Sequence, residues 1–273
     1  MSKLQVLVAT MHQTDFSLVE KMNIHANVII ANQADEESVR EMQFEGFTAK
    51  MITTKTRGVG INRNIALQAA DAEIVLFADD DIVYRDDAFQ QIEGAFCDLP
   101  KADLITFSAD FTKNGKVYLQ RRNPTKQCRV WNSMQFGAAF LAARRQTIAE
   151  KRLEFSTLFG GGCIYGSGED SLFLRDCLKH GLRLYSHDFV IGSCAKDEST
   201  WFTGYNEKFF YDKGAWLAAA FPKSHFLLKW YFLLRHKHVT ELSLSEMRHQ
   251  MNRGIRGYRT RIPYSEKSIE DNQ

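Results

Sequence analysis

The sequence has few of the residues that mark linkers, disulfide frameworks or membrane spans. Its 273 residues include four prolines and five cysteines, and they contain no low-complexity tract or internal repeat. The cysteines are scattered without a C-x-x-C pair, which favours reduced thiols over a disulfide framework or a zinc site. No apolar run approaches the roughly 20 residues of a transmembrane helix. Because the amino terminus also lacks a signal-peptide pattern, we expect a cytoplasmic protein.

Two phosphate-binding motifs are absent as well. Gly58, Gly60 and Arg63 form G-x-G-x-x-R, which lacks the third glycine of a dinucleotide-binding fingerprint. No G-x-x-x-x-G-K-[S/T] loop occurs, which argues against a P-loop ATPase. The composition, 44% hydrophobic and 25% charged, is that of an ordinary globular protein.

The sequence does contain an alternation of apolar strands and helices. Strands are predicted at residues 4–9, 27–31, 46–54 and 74–78. The four-residue spacing of Ile61, Ile65 and Ala69 predicts a helix before the strand at residues 74–78. The resulting β-α-β-α-β-α-β order is typical of a parallel sheet with right-handed crossovers. Asn114 and Gly115 predict a hairpin, so we expect antiparallel strands to extend a mixed sheet.

Three consecutive carboxylates, Asp79, Asp80 and Asp81, follow the fourth predicted strand. That strand is apolar at every position, as a parallel strand covered on both faces would be. In open α/β sheets, ligands bind beyond the carboxyl ends of the strands. Adjacent carboxylates repel one another, and Mg2+ or Mn2+ holding phosphate oxygens would offset their charge. A solvated acidic turn is the alternative, but the apolar strand leading to the cluster favours a ligand site.

A glycine-rich stretch from Phe159 to Gly168 runs into Glu169 and Asp170, which begin a predicted helix that ends at Gly181. We expect the loop to be mobile or to pack close to a ligand. Acidic residues at a helix start are common, because they suit the macrodipole. A carboxylate held there and aimed into a cleft would also have the properties of a general base.

The carboxyl-terminal segment is basic. Residues 223–263 carry nine Lys or Arg and two Glu, a net charge of +7, so the rest of the chain carries −5. The apolar segments 226–228 and 230–234 are too short to span a bilayer. Two interpretations stay open: a helix at an anionic lipid interface, or a helix packed on the preceding domain with a solvated basic face. Nucleic-acid binding is not expected, because no recognition motif accompanies the charge.

Taken together, these residues resemble glycosyltransferase family 2, the inverting GT-A enzymes. The resemblance rests on G-x-G-x-x-R-N-x-A-L at residues 58–67, on the apolar strand into residues 79–81, and on the glycine-rich loop into residues 169–170. It implies a Rossmann-like mixed α/β sheet flanked by helices. It also implies a catalytic domain at residues 1–221, followed by a basic amphipathic helical tail at residues 222–273.

The resemblance implies transfer of a sugar, with inversion, from a nucleotide-diphosphate sugar to a saccharide or lipid-linked acceptor. We expect the donor to be UDP-linked, and a divalent metal, Mn2+ or Mg2+, to be required. The implied site residues are the metal ligands Asp81 and Asp79, the substrate-binding residues Thr10, Asn32, Gln33, Asp35, Arg63, Asn64, Asp79 and Asp80, and the catalytic base Asp170 with Glu169.

The sequence departs from the family pattern in two places. The usual acidic D-D-G-S after the second strand is replaced by N-Q-A-D at residues 32–35, so which of these residues contacts the nucleotide base stays open. Many relatives have a histidine near the metal after the E-D helix, whereas this chain has S-C-A-K-D at residues 193–197. His187 lies nearby in sequence, but we do not expect it to bind the metal.

We therefore expect a cytoplasmic glycosyltransferase of surface polysaccharide biosynthesis, peripheral on the inner face of the membrane if the tail binds lipid. Two alternatives stay open. One is a metal-dependent nucleotide-sugar hydrolase or nucleotidyltransferase that uses the same Asp cluster. The other is a non-catalytic sugar-nucleotide binding protein, and the presence of both acidic motifs argues against it.

Overall fold

The computed structural model describes residues 3–195 and 204–265, and its contacts group the chain into two compact units. Unit 1 comprises Met1–Ser156 and Asp170–Ser199, and unit 2 comprises Thr157–Glu169 and Thr200–Gln273. Within the described residues, no helix combines the length and the apolar character that crossing a bilayer requires.

Unit 1 contains one mixed β-sheet. The described residues form eleven strands: β1 (Leu4–Met11), β2 (Asn27–Gln33), β3 (Ser38–Phe44), β4 (Phe47–Thr54), β5 (Ile74–Asp79), β6 (Ile82–Tyr84), β7 (Leu104–Lys113), β8 (Lys116–Arg121), β9 (Lys126–Gln127), β10 (Leu141–Arg144) and β11 (Leu184–Ala195). The order across the sheet is β3-β4-β2-β1-β5-β10-β7-β11-β6, with β8 paired to β7 and β9 paired to β11. The expected mixed sheet is confirmed.

The described residues also form nine α-helices: α1 (Ser17–Lys21), α2 (Val59–Ala69), α3 (Ala88–Asp98), α4 (Val130–Ser133), α5 (Arg145–Glu150), α6 (Glu169–Lys179), α7 (Glu207–Ala220), α8 (His225–His236) and α9 (Leu244–Thr260). Unit 1 includes α1 to α5 and all of α6 after its first residue, whereas α7 to α9 belong to unit 2. The prediction that Glu169 and Asp170 begin a helix is confirmed by α6. Gly181 follows that helix with a φ of 86°, as a glycine that ends a helix often does.

The parallel centre of the sheet consists of β4, β2, β1 and β5. Thr10 on β1 lies opposite Asn32 on β2, and Ala9 lies opposite Asp79 on β5. Because these strands run in the same direction, their carboxyl ends lie at one edge of the sheet. Polar side chains from three strands are therefore gathered where ligands bind in open α/β sheets.

The prediction that β5 is covered on both faces is confirmed. Ile74, Leu76 and Ala78 belong to one buried apolar cluster, and Val75 and Phe77 belong to another. Alternate side chains of a strand point to opposite faces of the sheet. An apolar residue is thus needed at every position of this strand, up to the first carboxylate.

The predicted strand-helix alternation is wrong at one point. It places a helix between β2 and β4, whereas the structure has the strand β3 there. β3 pairs antiparallel with β4 through a turn at Gly46, whose φ of 84° favours glycine. Glu41 and Met42 are good helix formers, but pairing with β4 overrides this weak local preference. β3 lies at the edge of the sheet, where charged side chains such as Arg40 discourage pairing with other chains.

The hairpin predicted at Asn114 and Gly115 is confirmed. The two residues connect β7 to β8, with φ values of 50° and 71°. Positive φ at both central residues is what a type I′ turn requires.

Close glycine contacts join α7 to α9 in unit 2. A Cβ atom on Gly214 would collide with the backbone oxygen of Met251, and one on Gly254 would collide with that of Tyr211. Only glycine allows the two helices to approach so closely. The domain division at residue 221 stays a prediction, and the contacts themselves group α7 with α8 and α9.

Two glycines shape the start of α2 for different reasons. Gly58 precedes the helix with a φ of 119°, which L side chains rarely adopt. A Cβ atom on Gly60 would collide with the backbone oxygen of Ser156. The glycines of G-x-G-x-x-R therefore serve backbone geometry in this protein.

We predict that Gly60→Ala lowers the free energy of unfolding by about 1–3 kcal/mol, because the backbone at Ser156 must move to admit a methyl group. Gly94→Ala is the matched control. Gly94 lies within α3, and a Cβ atom there meets no atom within 4 Å, so that substitution should raise stability by about 0.5–1 kcal/mol. Urea unfolding measures both effects. Equal effects of the two substitutions would contradict the packing argument.

Candidate active site

Polar side chains meet at the carboxyl edge of the parallel strands. β5 ends at Asp79, and Asp80 and Asp81 form the turn that leads into β6. The hydroxyl of Thr10, near the end of β1, donates a hydrogen bond to Asp80 at 2.5 Å. Gln13 in turn donates to that hydroxyl at 3.2 Å. The structure therefore brings the predicted residue Thr10 to the Asp cluster.

The guanidinium of Arg63 joins the two acidic motifs. Arg63 lies on α2, and only 3% of its side chain is exposed. Its Nη2 donates to Oδ1 of Asp79 at 2.7 Å, and its Nη1 donates to Oδ1 of Asp170 at 2.6 Å. The two carboxylates keep 39% and 26% of their side-chain area exposed. One buried cation thus fixes two carboxylates from different elements, and each retains an edge toward solvent.

An aromatic cluster supports Arg63. The guanidinium lies 5.4 Å from the ring centroid of Phe155, which stacks on Phe173 of α6 with centroids 4.0 Å apart. Phe77 of β5 meets both rings edge-on, at 5.1 and 5.9 Å. Asn64 exchanges two hydrogen bonds, of 2.9 and 2.8 Å, with the backbone of Phe155. Cation–π attraction and ring stacking therefore hold together the strand and the helix that carry the two carboxylates.

Asp81 is held by the end of β11. Its backbone oxygen accepts from the N–H of Ala195 at 3.1 Å, and its Oδ2 accepts from Sγ of Cys194 at 3.1 Å. Burial raises the pKa of the Asp81 carboxyl, the hydrogen bond from Cys194 lowers it, and the charges of Asp79 and Asp80 raise it further. The net result is a raised pKa, although part of the side chain still reaches solvent.

The S-C-A-K-D segment brings Cys194, rather than a histidine, to the Asp cluster. Lys196 and Asp197 of this segment lie outside the described residues. The ring of His187 lies 5.5 Å from that of Phe107, and its backbone oxygen accepts from Ser108. The expectation that His187 does not bind a metal stays a prediction.

Tyr84 at the end of β6 is a residue that the sequence patterns did not indicate. It is 2% exposed, and burial, followed by the charges of Asp79 and Asp81, raises its pKa above the usual tyrosine range. Its buried hydroxyl has no hydrogen-bond partner among the described residues. Tyr84 therefore stays protonated beside the acidic turn.

The oxygen atoms of this turn fit a hard divalent cation. Asp79 and Asp81 offer carboxylates, which Mg2+ and Mn2+ prefer. Both Asp79 and Asp80 act to raise the pKa of Asp81, so a cation at the turn would relieve their repulsion. Residues 3–195 and 204–265 contain no group of three or more His, Cys, Asp or Glu placed to hold a metal. A cation held by the turn would then take its other ligands from substrate phosphates and water, as is usual for Mg2+.

Two of the residues implied to contact the nucleotide base are hydrogen-bonded to neighbouring backbone. Asn32 is fully buried, and its amide both accepts from and donates to the backbone of Gln13, each at 2.9 Å. Nε2 of Gln33 donates to the backbone oxygen of Gly58 at 2.9 Å. These amides therefore fix the loops after β1 and before α2. A direct contact from either side chain to a base stays a prediction.

The other two residues implied to contact substrate differ in exposure. The Asp35 carboxylate is 91% exposed and pairs with Arg57 at 2.7 Å. Asn64 is 7% exposed, and its amide is bonded to the backbone of Phe155. The Asp35 carboxylate is thus open to solvent beside Arg57, whereas Asn64 supports the aromatic cluster.

Asn62 and Gly137 contribute to the site without having been indicated by the sequence patterns. Nδ2 of Asn62 donates to the backbone oxygens of Thr10 at 3.0 Å and Ala31 at 2.7 Å, which ties the ends of β1 and β2 together. A Cβ atom on Gly137 would lie 3.2 Å from Oδ2 of Asp170. Neither residue could be found from the sequence pattern, because Asn62 lies about 100° from the predicted apolar face of the helix and Gly137 belongs to no motif.

In unit 2 the glycine-rich loop packs on α7. The N–H of Gly166 donates to Asp212 at 3.0 Å, and a Cβ atom on Gly168 would collide with the ring of Trp216. Oε2 of Glu169 accepts from the N–H of Gly168 at 3.0 Å. The close packing expected for this loop is therefore made, at these positions, against the protein itself.

The chain is similar in fold to solved glycosyltransferases. Residues 1–349 of S. aureus TarS in complex with UDP-GlcNAc match with a TM-score of 0.62 and 15% identity, over 99% of this chain and 95% of that one. The same TarS fragment in complex with UDP matches with a TM-score of 0.58 and 16% identity, over 95% of this chain and 90% of that one. The mannosyltransferase PcManGT from Pyrobaculum calidifontis, in complex with GDP-Man and Mn2+, matches with a TM-score of 0.51 and 13% identity. The match covers 94% of this chain and 87% of that one. The expected GT-A fold is confirmed.

Sequence comparison identifies the family. No curated protein matches the chain. The family model described as Glycosyl transferase family 2 matches residues 10–158, which is more than half of the chain and includes both the G-x-G-x-x-R-N motif and the Asp cluster. The chain therefore belongs to glycosyltransferase family 2.

Proposed function

We propose that this glycosyltransferase moves a sugar, with inversion at the anomeric carbon, from a nucleotide-diphosphate sugar to a saccharide or lipid-linked acceptor. The observation that carries the proposal is the bridge from Arg63 to Asp79 and Asp170. Through this bridge, Arg63 holds the Asp79 carboxylate at the acidic turn and the Asp170 carboxylate on α6. Inverting transfer needs such a separation, because the base must lie opposite the leaving group.

For the donor we propose a UDP-linked sugar. TarS was solved with UDP-GlcNAc and with UDP, and PcManGT was solved with GDP-Man, which supports a nucleotide sugar as the donor class. We assign the nucleotide base to the carboxyl ends of β1 and β2. There Asp35 offers an exposed carboxylate, while Asn32 and Gln33 fix the surrounding loops.

We assign Asp81 and Asp79 as the residues that would hold a divalent cation together with the donor. The oxygen donors of the turn fit Mn2+ or Mg2+, and Mn2+ accompanies GDP-Man in PcManGT. When bound, the cation would offset the negative charge that builds on the departing diphosphate. The hydrogen bond from Thr10 to Asp80 steadies the turn that presents these carboxylates.

Asp170 is assigned as the general base. It accepts the proton of the acceptor hydroxyl while that oxygen attacks the anomeric carbon, and the bond from this carbon to the diphosphate oxygen breaks. The nucleoside diphosphate then leaves with the bonding electron pair. Arg63 positions Asp170 through the 2.6 Å hydrogen bond and takes up no proton itself.

The acceptor is proposed to be a growing surface polysaccharide or its lipid-linked precursor. Support comes from membership of the family and from the net charge of +7 on residues 223–263, which suits an acceptor presented at an anionic surface.

Donor binding should raise the melting temperature by mass action. At a ligand concentration about 100 times Kd the stabilisation is about 2.7 kcal/mol, or about 5 °C for a chain of this length. We expect one nucleoside diphosphate or nucleotide sugar to produce this shift only with Mn2+ or Mg2+ present. The Asp81→Asn variant should lose the part of this rise in melting temperature that depends on the metal. Differential scanning fluorimetry against a nucleotide panel measures both.

The control for this screen is Asp98→Asn, which removes an exposed carboxylate at the end of α3 and should keep the full shift. The absence of a shift with every nucleotide at saturating metal would count against the transferase proposal itself.

Asp170→Asn should keep the donor-induced shift while transfer falls about 10^2- to 10^4-fold, because the amide cannot take up the hydroxyl proton. Release of nucleoside diphosphate from the donor found in the screen measures turnover. Glu169→Gln tests the neighbouring acid, and we expect it to retain much more activity than Asp170→Asn. Loss of donor binding in Asp170→Asn would mean that the residue is structural. Release of sugar phosphate by the unmodified protein would favour the hydrolase alternative.

Arg63→Lys should lower kcat about 10- to 100-fold with little change in the donor-induced shift, since misplacing a catalytic group by about 1 Å has effects of this size. An ammonium group keeps the charge but lacks the planar fork that reaches both carboxylates. Arg85→Lys, in an exposed pair with Asp87, is the control. Unchanged turnover in Arg63→Lys would refute the positioning role.

A further inference from the structure

α8 in unit 2 presents a row of exposed apolar side chains. They are Phe226, Leu227, Trp230, Tyr231 and Leu234, each between 47% and 62% exposed. At 100° per residue, their spacing places all five within an arc of about 140° on one side of the helix. Contiguous exposed apolar side chains of this size mark an interaction surface.

The side of α8 turned away from the exposed row carries Leu228, Phe232 and Leu233 and anchors the helix in unit 2. Leu233 is fully buried in a cluster with Phe210, Leu217, Met247 and Met251 of α7 and α9. The direction of the exposed row is therefore set by the packing of the other face, and the row projects from an ordered helix.

Basic residues surround the exposed row. Residues 221–240 contain four Lys or Arg and no Asp or Glu. Lys223 and Lys237 are exposed just before and just after α8. From α9, the guanidinium of Arg248 lies 5.8 Å from the ring centroid of Trp230. The apolar row thus has a positively charged border.

We propose that α8 binds the surface of an anionic lipid membrane and lies in the plane of the interface. Tryptophan and tyrosine suit the boundary between acyl chains and water, and Lys and Arg attract anionic headgroups. With 12 residues, α8 is about 18 Å long, shorter than the roughly 30 Å hydrocarbon core. The helix is therefore suited to lie along the membrane.

Charge complementarity favours lipid over a second copy of the chain. In a two-fold symmetric dimer through α8, the same patch would meet itself. Two positively charged borders would then face each other, and residues 221–240 supply no carboxylate to offset them. An anionic bilayer supplies the opposite charge over the whole surface.

Flotation of the full chain with lipid vesicles tests the proposal. The probes are vesicles of phosphatidylcholine alone and vesicles in which phosphatidylglycerol replaces part of it. We expect binding to the anionic vesicles, much weaker binding to the neutral ones, and a loss of binding at high salt, because exposed charges are screened. The assay needs neither donor nor turnover, so its outcome is independent of the proposed function.

The apolar row is tested by Phe226→Ser combined with Trp230→Ser. Removing both side chains should lower binding to anionic vesicles by about tenfold or more. Trp131→Ser is the matched control, because Trp131 is 83% exposed but belongs to unit 1, and it should bind like the unmodified chain. Circular dichroism verifies that each variant is folded.

The basic border is tested by Lys223→Gln combined with Lys237→Gln. This change should lower affinity for the anionic vesicles by about tenfold, without altering the weak binding to neutral ones. Lys101→Gln combined with Lys116→Gln removes two exposed lysines of unit 1 and is the control.

Failure of the unmodified chain to float with anionic vesicles would overturn the proposal, and so would equal losses in the control variants. Sedimentation without lipid adds one further outcome. A dimer that dissociates when Phe226 and Trp230 are replaced would assign the face to a second copy of the chain, which also overturns it.

Discussion

One buried guanidinium shared by two carboxylates sets the geometry of the site. Burying the Arg63 side chain to 3% exposure costs desolvation free energy, and two charge-assisted hydrogen bonds offset part of that cost. Because the guanidinium is planar and rigid, it fixes the distance between Asp79 at the end of β5 and Asp170 at the start of α6. The carboxylate assigned to the cation and the one assigned to the proton are therefore placed by a single side chain of α2.

The direction of that side chain depends on the rest of its motif. Gly60 lets α2 approach neighbouring backbone closely, and Asn62 ties the helix to the ends of β1 and β2. Asn64 holds the backbone of Phe155, on whose ring the guanidinium of Arg63 lies. The residues of G-x-G-x-x-R-N other than Arg63 thus act in this structure by backbone packing and by hydrogen bonds to backbone. The binding groups it serves, the carboxylates of the acidic turn and of α6, come from other parts of the chain.

Features that local periodicity controls could be predicted from the sequence: the buried strand β5, the hairpin between β7 and β8, and the helix α6. Features that depend on a distant partner could not. β3 is a strand because β4 pairs with it, although its residues favour a helix. Asn32 forms a hydrogen bond with Gln13, 19 residues away, and Cys194 forms one with Asp81, 113 residues away. No pattern within a few residues of any of these positions indicates such contacts.

The adjacent residues Glu169 and Asp170 show why two acids in one motif need not have one role. Consecutive helical residues point about 100° apart, so the two carboxylates leave the helix in different directions. Asp170 accepts from Nη1 of Arg63, and Glu169 accepts from the N–H of Gly168 in the glycine-rich loop. Either carboxylate suits the first turn of a helix, so the motif alone leaves the base ambiguous. Our assignment of Asp170 as the base rests on its hydrogen bond to the guanidinium that also holds Asp79.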